Sequence, residues 1–306
     1  MLNYTFNIEW LGFSGAVQSS LASSRRTAGR WGVAIIWRGK HRRANGVSRW
    51  SVFGKVLAGA AISACIIACL VVACEWRTSS TYERIAHTAT TASDGAAVQS
   101  GDALSVDSAS LLQRNGEYVA WLTVDGTSVS LPVVNPIEIH ASGWYLNHDF
   151  DGSENYLGCP FLDVRSQGVG GRHLLVYGHN IANSHAMFSD LHMAYEQDTF
   201  DNVGTARLVV ADGSTLTFEP AFAMSVDESY GTVQRFEFAD GSQVFDWLVQ
   251  YEADASARSS SADKLIVSAD RVLTLATCTS NTPGRRWRTL TVFVLTSENG
   301  SEAAHG

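Results

Sequence analysis

Hydrophobic positions divide this 306-residue chain into regions of different pattern. Residues 56–74 form an uncharged, mostly apolar run. Residues 75–107 are rich in Ser, Thr, Ala, Asp and Gly and show no apolar period. From Tyr118 onward, short apolar runs alternate with turn residues. These patterns predict an apolar helix over 56–74, a flexible stalk over 75–107 and a folded domain over 108–296.

The short apolar runs of the domain are rich in β-branched and aromatic residues, which is typical of strands. Asp125-Gly126 and Asp212-Gly213 mark tight turns between some of them. The predicted strands are Tyr118–Val124, Ser128–Val134, Gly158–Val164, His173–Tyr177, Ala206–Val210, Thr215–Ser225, Lys264–Val267, Val272–Thr277 and Thr289–Leu295. Many short strands at this spacing predict a barrel or a sandwich.

Two segments of the domain are predicted to be helical. A short helix is expected at Ser108–Arg114, ahead of the first strand. A longer helix is expected at Ser242–Ala257, before the strand that ends near Cys278. Its apolar side chains share one helical face, and they are Val244, Phe245, Trp247, Leu248 and Tyr251. The polar residues 297–306 are expected to form a disordered tail.

The charge around residues 56–74 indicates a membrane anchor. Nine of the 22 basic residues but only one of the 30 acidic residues lie in residues 1–55. About 20 apolar residues suffice to cross a bilayer, and basic flanks stay on the cytoplasmic side. We therefore expect a single signal-anchor helix at the cell membrane, with residues 1–55 in the cytoplasm and the domain outside the cell.

Other interpretations of residues 56–74 stay open. The run could be a buried core helix. It could also be a cleaved and lipidated secretory signal, because Ile62–Cys65 and Val71–Cys74 resemble lipoprotein cleavage boxes. Small residues before cysteine are, however, also common in membrane helices. A start codon placed too far upstream would explain the irregular first 50 residues.

The cysteines divide between the apolar run and the domain. Cys65, Cys69 and Cys74 lie in the run, which leaves Cys159 and Cys278 for the exported part. Those two could pair as a disulfide, or they could be two free thiols. No cysteines or histidines occur at zinc-ligand spacing, so the sequence supports neither a metal site nor a cofactor.

Three residues at the ends of predicted strands carry candidate chemistry. Cys278 ends an apolar run, His179 follows the strand His173–Tyr177, and Arg288 precedes Thr289–Leu295. A hairpin from the cysteine strand to the next would place Arg288 beside the thiol. A thiol, an imidazole and a guanidinium are the groups needed for acyl transfer through a thioester.

Each of these residues also has an ordinary structural interpretation. Cys278 could be a buried structural thiol, His179 a loop histidine, and Arg288 part of a solvated basic turn. Arg285 or Arg286 could also take the place of Arg288, which is the preferred candidate.

Several further motifs occur in a fixed order between about Leu111 and Leu295. They are Asn115–Trp121, Leu131–Val134, Tyr145–Phe150, Gly158–Arg165, Val176–Asn180, Met187–Leu191 and Thr274–Cys278 with Arg288. In this set of motifs the chain resembles the sortases, class B in particular, which carry a helix before the cysteine-bearing strand. Ala120 and Cys159 depart from the residues usual in that family. The resemblance implies a mostly β, closed barrel of about eight strands with an N-terminal helix.

The resemblance also implies a function. The protein is expected to be a membrane-anchored transpeptidase outside a Gram-positive cell, which cleaves a C-terminal sorting signal of a surface protein. The acyl group would pass to an amine of a peptidoglycan precursor or a pilin. By resemblance, Cys278 is the nucleophile, His179 the acid/base and Arg288 the cation that stabilises the oxyanion. No cofactor, metal or nucleic acid is expected.

Groove residues and alternative functions follow from the same resemblance. Tyr177, Thr277 and Leu146 are expected to shape the substrate groove. A thiol peptidase that hydrolyses the same kind of signal is one alternative, and a catalytically inactive, membrane-tethered binding domain is another. A disulfide between Cys159 and Cys278 would block the nucleophile, which argues against that pairing.

Overall fold

The computed structural model describes residues 54–66, 69, 82, 85, 106–137, 140, 143–282 and 285–300. The chain divides into two compact units, one of residues 14–77 and one of residues 1–13 with 78–306.

The smaller unit contains helix α1, residues 54–66, whose side chains are exposed. Among the residues that the structure describes, none of the helices is both long and apolar enough to cross a membrane. Most of residues 67–74 of the predicted span, and residues 1–53, lie outside the described residues. The membrane anchor therefore stays a prediction.

The larger unit is mostly β, as predicted. Its strands are β1 (Tyr118–Val124), β2 (Ser130–Val134), β3 (Phe161–Leu162), β4 (His173–Tyr177), β5 (Ala206–Val210), β6 (Thr215–Asp227), β7 (Ala257–Arg258), β8 (Val272–Cys278) and β9 (Trp287–Asn299). Between residues 106 and 300, as far as the structure describes them, its α-helices are α2 (Ser108–Arg114), α3 (Gln197–Phe200), α4 (Gly241–Glu252) and α5 (Ala262–Val267).

Eight of the strands close into a barrel, which confirms the predicted architecture. They pair in the order β5-β1-β2-β3-β4-β8-β9-β6, and β6 pairs back to β5. The short β7 pairs with the second half of β6 outside this ring. The β2–β3 and β4–β8 pairs are parallel, and the other pairs are antiparallel.

Helix α4 is the inserted helix before the cysteine-bearing strand. The Asp240 side chain caps it by accepting hydrogen bonds from the backbone N–H groups of Ser242 and Gln243. Trp247 and Tyr251 on its inner face are buried, and Tyr251 meets the Phe222 ring of β6 edge to face at 5.3 Å between centroids. The helix therefore covers one side of the barrel, although it ends at Glu252 and not at Ala257.

Two predicted strands differ from the structure. Lys264–Val267 belongs to helix α5, where Ala262, Leu265 and Ile266 are buried at helical spacing. An apolar run this short does not distinguish a strand from a helix by period. In Gly158–Val164 only Phe161–Leu162 is a strand, because Asp163 caps a 3₁₀ turn directly after it.

Both ends of the domain extend further than predicted. Strand β9 runs to Asn299, so residues 297–299 of the expected tail pair with the start of β6. Two positions in the expected stalk, Tyr82 and Ile85, are helical and buried. The Tyr82 hydroxyl donates a hydrogen bond to the carbonyl oxygen of Gly158. Part of the segment expected to be a flexible stalk therefore packs against the domain.

Replacing Gly126 by Ala should destabilise the domain. Gly126 has φ of 77° in the turn between β1 and β2, and an added Cβ would lie 1.9 Å from the carbonyl oxygen of Asn202. The strained backbone alone costs about 1–3 kcal/mol, so the melting temperature should fall by several degrees. Gly116→Ala is the matched control, because its Cβ would meet no atom within 4 Å. Equal melting temperatures for the two variants would contradict this prediction.

Candidate active site

The parallel pairing of β4 and β8 brings Cys278 and His179 to one edge of the barrel. Tyr177 is in register with Ala276, and the N–H of Gly178 donates to the carbonyl of Ala276 at 3.1 Å. Cys278 is the last residue of β8, and His179 is the second residue after β4. Parallel strands end at the same edge, so the imidazole and the thiol come from neighbouring positions.

Gly178 gives the chain room to leave β4 towards His179. A Cβ at this position would lie 2.6 Å from the ring of Phe188, which is fully buried. The backbone N–H of Phe188 in turn donates to the carbonyl of His179 at 2.9 Å. The loop after β4 thus turns back and forms a backbone hydrogen bond with His179.

Strand β9 brings Arg288 to the thiol, as the hairpin prediction required. Cys278 and Arg288 are directly opposite each other in the antiparallel β8–β9 pair. The side chain of Arg288 is only 9% exposed, whereas that of Arg286 is 64% exposed and pairs with Asp227 at 2.8 Å. Arg285 is exposed and offers its backbone carbonyl to Arg288 Nη1 at 2.6 Å. Among these arginines, Arg288 is the buried one at the candidate nucleophile.

The Arg288 guanidinium is held by several acceptors. Its Nη2 lies 3.0 Å from Oε2 of Glu228, and its Nη1 donates to the carbonyl oxygens of Arg285 and Trp287 at 2.6 and 3.1 Å. Glu228 follows the end of β6 and belongs to no sequence motif, so no sequence signal marks it. The antiparallel register of β6 with β9 is what brings it to Arg288.

His179 is oriented by a backbone carbonyl. Its Nε2 lies 2.7 Å from the carbonyl oxygen of Leu146, in a 3₁₀ turn formed by Trp144–Leu146. A carbonyl only accepts hydrogen bonds, so Nε2 carries the proton and Nδ1 of the neutral ring is left as the base. Burial lowers the pKa of His179, and the bond to Leu146 partly offsets this. The ring is therefore neutral near pH 7.

Opposing electrostatic effects act on the Cys278 thiol. Burial raises the pKa of Cys278, the charge of Arg288 lowers it, and the carboxylate of Glu228 raises it. The net result is a pKa above the ordinary value of a cysteine. With a neutral imidazole beside it, the thiol is mostly protonated at neutral pH, and the thiolate is a minor form.

Asn180 ties the histidine loop to the cysteine loop. Its Nδ2 donates to the carbonyl of Cys278 at 3.1 Å and to Oδ1 of Asn281 at 2.9 Å. The sequence analysis did not assign it a role, although its position directly after His179 was a signal.

The three residues expected to line the groove lie in different surroundings. Leu146 contacts His179 through its carbonyl. Thr277 is buried next to Cys278, and its hydroxyl has no hydrogen-bond partner among the described residues. The hydroxyl of Tyr177 donates to Asp163 at 2.9 Å. The structure thus brings Leu146 and Thr277 to the candidate catalytic groups, whereas the Tyr177 hydroxyl binds Asp163.

The other cysteine of the domain lies apart from this arrangement. Cys159 and Cys278 are both free thiols, so they do not form a disulfide. Cys159 is fully buried, and burial raises the pKa of its thiol well above the ordinary value. It is therefore a poor nucleophile, which leaves Cys278 as the reactive thiol of the domain.

The pH dependence of Cys278 alkylation tests this electrostatic arrangement. The rate of carbamidomethylation by iodoacetamide, followed at the Cys278 peptide by mass spectrometry, should have its midpoint above about 8.5, the value for an ordinary cysteine. Arg288→Gln should move the midpoint to higher pH, because the cation that lowers the pKa is gone. Arg286→Gln is the control and should leave the midpoint in place. A midpoint at or below neutral pH would contradict the prediction.

Comparison with known proteins points to one family. No family model matches the chain. Sortase B of Staphylococcus aureus is 26% identical over 172 residues, which cover 55% of this chain and 66% of that protein. The chain therefore matches slightly less than two thirds of the length of this relative.

Solved structures share the fold. The Staphylococcus aureus sortase B–substrate complex has a TM-score of 0.59 at 19% identity and covers 73% of this chain and 98% of its own. Clostridium perfringens sortase B has a TM-score of 0.53 at 22% identity and covers 62% and 99%. The chain is thus similar in sequence to sortase B of Staphylococcus aureus, and it shares its fold with solved sortase B structures.

Proposed function

We propose that the protein is a cysteine transpeptidase of the class B sortase type, which cleaves a sorting signal through a thioester on Cys278. The observation that carries the proposal is the meeting of three strand ends. Cys278 and Arg288 are opposite each other in the β8–β9 pair, and His179 follows the parallel neighbour β4. These groups supply a nucleophile, a cation and a base at one edge of the barrel.

The first half of the reaction forms the thioester. The thiol proton of Cys278 passes to Nδ1 of His179, because Nε2 is engaged by the Leu146 carbonyl. The thiolate attacks the scissile carbonyl carbon, and the guanidinium of Arg288 stabilises the oxyanion. The carbon–nitrogen bond then breaks, and the His179 imidazolium gives its proton to the departing amine.

The second half of the reaction releases the acyl group. An acceptor amine attacks the thioester carbon while neutral His179 takes a proton from it. The carbon–sulfur bond breaks, the new amide leaves, and the sulfur recovers the proton from the imidazolium. The guanidinium of Arg288 again faces the oxyanion.

Substrate and acceptor are proposed by similarity and from the chemistry of the site. One solved relative is described as a sortase B–substrate complex, which supports a peptide sorting signal of a surface protein as the acyl donor here. The acceptor is an amine of a peptidoglycan precursor or a pilin. Thr277 and Leu146, next to the catalytic groups, and Tyr177 at the end of β4 are the proposed groove residues.

We further propose that the domain acts outside a Gram-positive cell, tethered by residues 56–74. The support is the uncharged run of residues and the crowding of basic residues on its N-terminal side. These features favour a signal-anchor with residues 1–55 in the cytoplasm.

Peptide turnover with and without an added amine tests the proposal. Purified full-length protein should cleave a fluorogenic library of sorting-signal peptides, and Cys278→Ala should abolish cleavage because no thioester can form. Added triglycine should appear in the product as a new amide. Cys159→Ala is the control and should keep wild-type turnover.

Three outcomes would contradict the proposal in different ways. Hydrolysed product alone, at saturating amine, would make the protein a thiol peptidase. Turnover that survives in Cys278→Ala would remove Cys278 from the chemistry, and no turnover by the wild type on any peptide would favour a binding domain.

A further inference from the structure

Glu228 is fixed in place by the pairing of β6 with β9. Val226 and Asp227, the last two residues of β6, are in register with Arg288 and Trp287. The N–H of Glu228 continues this pairing by donating to the carbonyl of Arg286 at 2.7 Å. The backbone that carries the carboxylate is thus part of the same antiparallel β6–β9 pair that carries Arg288.

The Glu228 carboxylate contacts two cations of unequal exposure. Its Oε2 lies 3.0 Å from Nη2 of Arg288, whose side chain is 9% exposed, and its Oε1 lies 3.6 Å from Nε of the exposed Arg286. A buried guanidinium needs acceptors in a defined direction, since desolvation is costly for a charge that is not paired. The carboxylate therefore orients Nη2 of the Arg288 guanidinium, and the carbonyl oxygens of Arg285 and Trp287 orient Nη1.

We propose that Glu228 is a positioning residue of the reaction. Its carboxylate holds the Arg288 guanidinium in place opposite Cys278, and it reduces the positive electrostatic potential at the Cys278 sulfur. The proposal rests on the proposed acyl-transfer function, in which Arg288 faces the oxyanion. Nothing in the sequence motifs assigns Glu228 a role.

Glu228 also affects the thiol in the opposite sense to Arg288. The carboxylate raises the pKa of Cys278, and the guanidinium lowers it. Among the described residues, Arg286 pairs with both Glu228 and Asp227, and His179 lies on the loop after β4, the strand that pairs with the cysteine-bearing β8. Removing only the carboxylate should thus make the thiol more acidic while it loosens the cation.

A purely structural role for this ion pair would have a different signature. The Glu228 side chain is one-third exposed, and ion pairs open to water contribute little to folding stability. Loss of the carboxylate should therefore change catalysis and thiol acidity much more than it changes the melting temperature.

Glu228→Gln tests the proposal in the full-length protein. Gln keeps the shape of the side chain and removes its charge. We expect kcat for peptide cleavage to fall roughly 10- to 100-fold, because an oxyanion donor is misplaced, with KM changed less than about twofold. The midpoint pH of Cys278 alkylation should move down, opposite to its movement in Arg288→Gln. Glu228→Asp should recover part of kcat.

Asp227→Asn is the matched control. Asp227 is the neighbouring carboxylate and pairs with the exposed Arg286 instead of Arg288. This variant should keep the wild-type kcat, alkylation midpoint and melting temperature.

The possible failures of the test are distinguishable. Wild-type kcat and midpoint in Glu228→Gln would overturn the positioning role, whereas turnover surviving in Cys278→Ala would overturn the proposed function itself. A fall in kcat that is accompanied by a large drop in melting temperature and an unchanged midpoint would show a structural role and also overturn the proposal. The alkylation midpoint needs no substrate, so it reports on Glu228 even if the acyl-transfer function is wrong.

Discussion

Strands β4 and β8 run in parallel through the barrel wall, and the proposed catalytic arrangement depends on this pairing. Antiparallel neighbours can be joined by a short turn, but parallel neighbours need a crossover connection. Here the crossover contains β5, β6, β7 and three helices, so Cys278 lies almost 100 residues after His179. All residues of β4, and all of β8 except Cys278, are buried. A shift of register by one residue would turn their side chains to the wrong face, so the packed core holds the two chemical groups together.

Burial at the end of these strands disfavours charged side chains, and neighbouring charges at the site partly offset this effect. Burial disfavours both the thiolate of Cys278 and the imidazolium of His179, and Arg288 compensates for the former. A thiolate stabilised too strongly would be a weaker nucleophile, since nucleophilicity falls with the pKa of the thiol. Glu228 opposes the effect of Arg288, because its carboxylate raises the pKa of Cys278. These opposing effects favour a thiol that is mostly neutral at rest and that loses its proton to His179 during the proposed reaction.

The sequence predicted the parts of the fold that depend on local pattern. The alternating and β-branched runs gave β1, β4 and β5 with their observed ends, and five apolar residues on one face located α4. Lys264–Val267 differs from the predicted strand because four residues are too few to show a period, and in the structure the helix buries Leu265 and Ile266. The place of the candidate residues Cys278, His179 and Arg288 at strand ends was also predictable.

The supporting groups of the site could not be predicted in this way. Leu146 orients His179 through its backbone carbonyl, and a backbone group leaves no mark on residue choice. Glu228 reaches Arg288 only because β6 and β9 pair in one register. Both contacts join segments far apart in the chain, and neither belongs to a repeating pattern.

Tyr177, two residues before the proposed catalytic residue His179, also stabilises the strand end that carries the site. Its hydroxyl donates to Asp163, which also accepts from Arg165 at 2.6 Å. Burial acts to raise the pKa of Asp163, but the hydrogen bonds from Arg165 and Tyr177 outweigh it and the pKa is lowered, so the carboxylate stays charged. This buried cluster joins the segment after β3 to the end of β4, one residue before Gly178. The loop that carries His179 therefore begins at a strand end that is held in place by hydrogen bonds. Arg288 is held in a similar way, because it lies in the β6–β9 pair.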